Sequence, residues 1–262
     1  MSNSLFTGSP QRAPAAAGPA TRWRGLLLAA LLLAAGSVAA GSFSVSPVRI
    51  YLQPRDRAVA ITVTNEGDTE MVMQAEVFEW KQRADSSDEL TPTDDVIMAP
   101  PVLRLAPKSR QVLRLANLRP VLPGQQLTYR LFVRELPEAI APAPGAGPQV
   151  QVALAFSLPI FITPADARQR LHCAATGRSP DAVTLACDNA GQAYAQPVSF
   201  SLAPSGGGQA ATQEVTGGYI LPQMSRSFTL GLGGAIFPPG PATLTVLQDD
   251  GSRQVFDVLL AD

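Results

Sequence analysis

The chain has 262 residues, enough for two modest domains, and a formal net charge of −1. Its 24 prolines and 21 glycines argue against a helical protein, because proline removes a backbone donor and clashes with the preceding turn. With 46% hydrophobic and 16% charged residues it can build a core. One histidine (His172) and two cysteines (Cys173, Cys187) argue against a His-based triad or a zinc site.

Arg22 and Arg24 precede the apolar run Leu26–Ala35, and Val38-Ala39-Ala40 follow it. A basic start, a short apolar stretch and small residues before the cut are the features of a secretory signal peptide, here residues 1–40. The run is about half the ~20 apolar residues a membrane span needs, so no stable membrane anchor is expected in the mature chain. Residues 41–262 carry 17 basic and 21 acidic side chains, a net of −4 with no general attraction for nucleic acid.

Strand-like segments then follow in order. Phe43–Leu52 (FSVSPVRIYL) reads as one extended run, followed by Ala58–Asn65 and Met71–Trp80. Lys81–Asp95 is polar and acidic and reads as a solvated loop. Pro100–Leu115 reads as two short strands with a corner at Pro107-Lys108, and Leu127–Leu136 alternates again. Residues 137–148 are mostly Pro, Ala and Gly, the composition of a flexible or polyproline-like loop. Val150–Leu158 has the cleanest period of two: Val150, Val152, Leu154, Phe156 and Leu158 are large and apolar, and the residues between are small or polar.

A second set of strands is expected at 183–188, 197–202, 226–232, 242–247 and 253–260. Export implies an oxidising compartment, where Cys173 and Cys187 are expected to pair. They are symmetric about residue 180, among the turn residues Gly177, Ser179, Pro180 and Asp181, so a hairpin there brings them face to face. Two antiparallel β-sandwiches fit the whole pattern. No G-x-S-x-G elbow occurs, and the acids Asp85, Asp88, Glu89, Asp94 and Asp95 lack EF-hand spacing. No enzyme, cofactor or metal is therefore expected.

Several stretches together resemble the PapD-like periplasmic pilus chaperones over about residues 43–164. They are Pro47-Val48-Arg49-Ile50, Thr62-Val63-Thr64-Asn65, Pro100-Pro101-Val102-Leu103-Arg104-Leu105, Gln111-Val112-Leu113-Arg114-Leu115, Phe132-Val133-Arg134-Glu135-Leu136-Pro137 and the strand ending Ile160-Phe161. The resemblance implies an all-β fold of two immunoglobulin-like β-sandwich domains, 41–164 and 165–262, in a boomerang arrangement. It implies a periplasmic protein that binds exported pilin subunits and passes them to an outer-membrane usher for fimbria assembly. It does so by lending its own G strand to a subunit lacking one, a strand addition in which backbone bonds give affinity and alternate side chains fill a groove. Matched by position, the lent strand is Val150–Leu158, with Val150, Val152, Leu154 and Phe156 as the groove-filling face. Arg49 matches the cleft arginine that holds the subunit's C-terminal carboxylate, through the paired donors of its guanidinium. The chain departs from the family at Pro159, where a second basic anchor usually stands. Either another basic residue completes the carboxylate site, with Arg104, Arg114 and Arg130 as the candidates, or Arg49 works alone. The Leu158-Pro159-Ile160-Phe161 form is similar to the branch serving archaic or spore-coat-like pili. The competing reading is a secreted structural or adhesive subunit of a surface fibre.

Overall fold

The computed structural model describes residues 43–136 and 153–261; the expected signal peptide, and Val150 and Val152 of the expected donor face, lie outside them. The described residues form seventeen strands and no helix. The first ten are β1 (Phe43–Ser46), β2 (Ile50–Leu52), β3 (Val59–Asn65), β4 (Met71–Gln82), β5 (Asp88–Pro92), β6 (Val96–Ala99), β7 (Val102–Leu105), β8 (Arg110–Asn117), β9 (Leu127–Glu135) and β10 (Ala155–Ile162). They make two sheets, one ordered β1-β3-β8-β6 and one ordered β2-β10-β9-β4-β5 with β7 also on β4. Alternate residues fill the space between: Ile61, Val63, Leu113 and Leu115 from one sheet, Met73, Leu131, Val133 and Ile160 from the other. Each such side chain contributes roughly 1.5–3 kcal/mol by leaving water.

The remaining strands are β11 (Leu171–Arg178), β12 (Ala182–Asn189), β13 (Pro197–Pro204), β14 (Ala211–Glu214), β15 (Ser225–Gly231), β16 (Gly240–Gln248) and β17 (Arg253–Leu260). They form a β11-β12-β15 sheet and a β14-β13-β16-β17 sheet. Their core holds Val183, Leu185, Phe200, Leu202, Leu244 and Val246. The two sandwiches share a local device. Asn65 and Asn189 are buried at strand ends, and each spends its amide on three carbonyls while its oxygen takes the N–H of Gly67 or Gly191. Only glycine fits at 191, where a Cβ would lie 2.4 Å from the carbonyl oxygen of Arg168.

Two expectations need correcting. The run expected as one strand over 43–52 is two. β1 pairs with β3, and β2 pairs in parallel with β10 in the opposite sheet. Pro47 cannot donate to a ladder, and the chain changes sheets across Pro47-Val48-Arg49. The acidic stretch 81–95 is not simply a loop. β4 continues to Gln82, and β5 returns antiparallel from Asp88. β5 is an edge strand almost wholly in solvent, so it needs no apolar alternation and leaves no such signal. The short edge strands β6 and β14 escape notice for the same reason.

Cys173 faces Cys187 in the β11–β12 register, with a Cα–Cα distance of 4.1 Å and a disulfide between them. The bridge crosses the hairpin in the interior of the second sandwich. Thiol labelling of the denatured, unreduced chain should find no free sulfhydryl, and replacing both cysteines by serine should cost about 3 kcal/mol in urea unfolding. Two reactive thiols per chain would contradict the bridge.

Candidate functional site

β10 is unevenly covered. β9 pairs with it from Ala155 to Ile162, whereas β2 reaches only Ile160–Ile162 on the other side. Among the described residues, nothing is laddered to the far edge of Ala155–Pro159. The side chains follow the same division. Leu158, Ile160 and Ile162 are in the core, but Leu154 and Phe156 are each 38% exposed. Phe156 rests edge-on against Phe43, centroids 4.8 Å apart. An unpaired edge beside exposed apolar side chains is a template for another strand.

The open edge stops at a row of two cations. Ile160 is in register with Ile50 on one side and Tyr129 on the other. One residue earlier, Pro159 pairs with Arg130, and Arg49 immediately precedes Ile50 on the other side. With strands about 4.8 Å apart, the two arginines are roughly 10 Å apart along this row, and both reach the ring of Tyr219, at 5.8 Å for Arg49 and 5.7 Å for Arg130. The Arg130 guanidinium carbon also sits over the Trp80 ring, 3.8 Å from its centroid. The other two candidates are elsewhere: Arg104 sits on β7 beside Glu70, and Arg114 sits on β8 in the opposite sheet.

Beneath the arginines the two sandwiches meet through aromatic rings. Trp80 and Phe161 pack against Tyr194, Tyr219 and Leu221. Phe161 stacks on Tyr194 at 4.0 Å, and Trp80 meets Tyr219 edge-on at 5.5 Å. β4 makes this possible by reversing its buried face: Met71, Met73 and Ala75 point into the first core, whereas Trp80 and Gln82 are buried on the opposite parity. The Gln82 amide donates to the Tyr219 carbonyl at 3.0 Å, and its oxygen accepts from Leu221 N at 2.9 Å.

A hydrogen-bonded chain closes the Arg49 side. Arg49 Nη1 donates to Asp249 Oδ2 at 2.6 Å, and Tyr194 donates its hydroxyl to the same oxygen at 3.0 Å. The Tyr51 and Tyr194 hydroxyls are 2.8 Å apart. Burial works against the Arg49 charge, but Tyr51, Tyr219 and Asp249 outweigh it and hold the guanidinium more firmly charged than usual. Arg130 is different: burial lowers its pKa, and Asp88 and Tyr219 offset this only in part. Burial, with Tyr51 and Asp249, raises the Tyr194 pKa and keeps it a neutral donor. The site thus offers an apolar strand edge ending at a paired cationic seat, the arrangement for a polypeptide that ends in an anion.

Residues 42–168 match the family described as pili and flagellar-assembly chaperone, PapD N-terminal domain. The first domain belongs to the PapD-like chaperones. Solved structures extend the likeness in fold to the second sandwich. A chain of the CsuC–CsuE chaperone–tip adhesion subunit pre-assembly complex of Acinetobacter baumannii matches at 20% identity and TM-score 0.59, covering 84% of this chain and 100% of that one. The E. coli chaperone DraB matches at 20% identity and TM-score 0.54, covering 84% and 97%. A chain of the Salmonella enterica SafA pilin–SafB chaperone complex matches at 18% identity and TM-score 0.54, again covering 84% and 97%. No curated protein sequence matches the chain.

Within this PapD-like frame, Arg49, Arg130, Leu154 and Phe156 all lie on or beside the β2–β10–β9 strip, while the disulfide lies in the second sandwich. Sequence reasoning missed Asp249, Tyr194, Tyr219, Gln82 and Trp80. In the sequence, Asp249-Asp250-Gly251 carries only the composition of a turn. Gln82 gives a test of the junction. Gln82→Ala leaves the buried Leu221 N–H without its partner and the Tyr219 carbonyl with only the 3.3 Å bond from Arg226 Nη1, so it should lower stability by about 1–3 kcal/mol and expose the Leu221 amide to hydrogen exchange. Unchanged Leu221 protection would contradict the strut.

Proposed function

We propose that the protein is a periplasmic pilus chaperone. Residues 1–40 direct export, and 41–164 and 165–262 are its two working domains. It binds a pilin subunit by adding β10, with the preceding residues from Val150, to the subunit's incomplete sandwich. It then delivers the subunit to an outer-membrane usher. The observation that carries this reading is where the open edge of β10 ends. β2 runs parallel to β10 and takes over the edge at Ile160. A subunit strand added parallel to β10 therefore finishes, rather than starts, at Arg49. Its C-terminal carboxylate arrives at the seat between Arg49 and Arg130, and Arg130 supplies from β9 the second charge that Pro159 cannot. Val150, Val152, Leu154 and Phe156 supply the alternate side chains for the subunit's groove. Structures of similar fold contain a tip adhesion subunit in one case and a pilin in another, which supports the same class of partner.

Leu154→Asp separates this reading from an ordinary core strand. Leu154 is already half in solvent, so the variant should fold and reach the periplasm at a normal level. A charge carried into an apolar groove should weaken recovery of a co-expressed pilin subunit by roughly thirtyfold or more. Loss of the chaperone itself would return the strand to its own core.

A further inference from the structure

The seat for the carboxylate is already neutralised, and this constrains how it is filled. Two arginines reach the Tyr219 ring, and each has an internal acid: Asp249 for Arg49 and Asp88 for Arg130. A third carboxylate leaves this group of charges net negative unless one acid gives way. The two acids are held very differently. Asp249 lies 2.6 Å from Arg49, is 14% exposed and takes a second bond from Tyr194. Asp88 lies 3.7 Å from Arg130, is 42% exposed, and its other oxygen has a contact of 3.5 Å with Gln82. A long, solvated pair is worth little, whereas removing one member of a short, shielded pair leaves a charge without its partner.

Resting on the reading of this cleft as a subunit carboxylate site, we infer that Asp88 is its exchangeable counter-ion: the incoming carboxylate displaces Asp88 from Arg130, while Arg49 keeps Asp249. Arg130 is suited to the exchange. Its guanidinium sits over the Trp80 ring and is shielded to 15% exposure, with the distant Asp88 as its only ionic partner among the described residues. Its donors are therefore oriented before the ligand arrives, which lowers the ordering cost of binding. Asp88 in turn keeps the cation partly neutralised in the free protein and makes the site discriminate. An anion displaces it, and a neutral chain end does not. The β4–β5 hairpin, which presents both Gln82 and Asp88, thereby helps to select for the terminus of a chain.

The test uses the full exported chain and two probes, a short alternating Val/Thr peptide with a free C-terminal carboxylate and the same peptide amidated, compared by calorimetry. Wild type should prefer the carboxylate form. Asp88→Asn, on an exposed hairpin, should bind the carboxylate peptide about three- to fivefold more tightly and the amide unchanged. Arg130→Met, which keeps an apolar stem on Trp80, should lose the preference by about tenfold, and Arg130→Lys should recover part of it. A wild-type preference that Asp88→Asn leaves unaltered, or that survives in Arg130→Met, overturns the exchange while leaving the chaperone reading in place. If wild type does not distinguish the two peptides, the carboxylate seat falls and the exchange with it. Should Arg130→Met fail to fold, the Asp88→Asn arm decides alone.

Discussion

Five residues of strand edge, Ala155–Pro159, have no ladder partner on one side among the described residues, and most of the architecture can be understood as a way of keeping them so. Unpaired backbone donors and acceptors beside apolar side chains invite association with any passing strand. The first sandwich limits the invitation. β2 closes the edge from Ile160 onward, Pro159 offers no donor, and Phe43 holds Phe156 from one side. What stays open is short, directional and bounded by charge. The change of sheet at Pro47–Arg49 does two things at once: it stops β1 from covering the edge, and it sets Arg49 at the edge's end.

The second sandwich contributes rigidity and electrostatics to the same place. Tyr219, packed in one cluster with Tyr194 and Leu221, supplies the ring that both arginines reach, and Asp249 fixes Arg49. Ring stacking, the contacts of both arginines with the Tyr219 ring, the Tyr51–Tyr194 hydroxyl bond, the Gln82 amide bonds and the Arg49–Asp249 pair all cross between the sandwiches here. They are mutually supporting, because Gln82 holds the backbone of Tyr219, whose ring meets both arginines. A change that loosens the junction therefore acts on the cationic seat as well as on stability.

The sandwich cores were legible in the sequence because alternation of large and small residues follows directly from one-sided burial, as in β9 and β16. The disulfide was legible from two cysteines and a central turn. Edge strands were not, since β5 buries nothing that would impose a pattern. The cationic seat was half legible. Arg49 follows from resemblance, but choosing Arg130 over Arg104 and Arg114 needed the register that sets it opposite Pro159. Asp249 and Tyr219 lie about 200 and 90 residues from the arginines they serve, and no local spacing connects residues that meet only through the contact of two domains.

The claim on which this account rests is that β10 is the surface where a partner strand is added. Residue-resolved hydrogen exchange, measured on the chaperone alone and with a bound pilin subunit, addresses it directly. Amides within 153–159 that point to the open edge should exchange readily in the free chain and become strongly protected in the complex, while those bonded to β9 change little. A stable complex in which the 153–159 amides exchange as fast as before, with new protection on another strand edge, would contradict it.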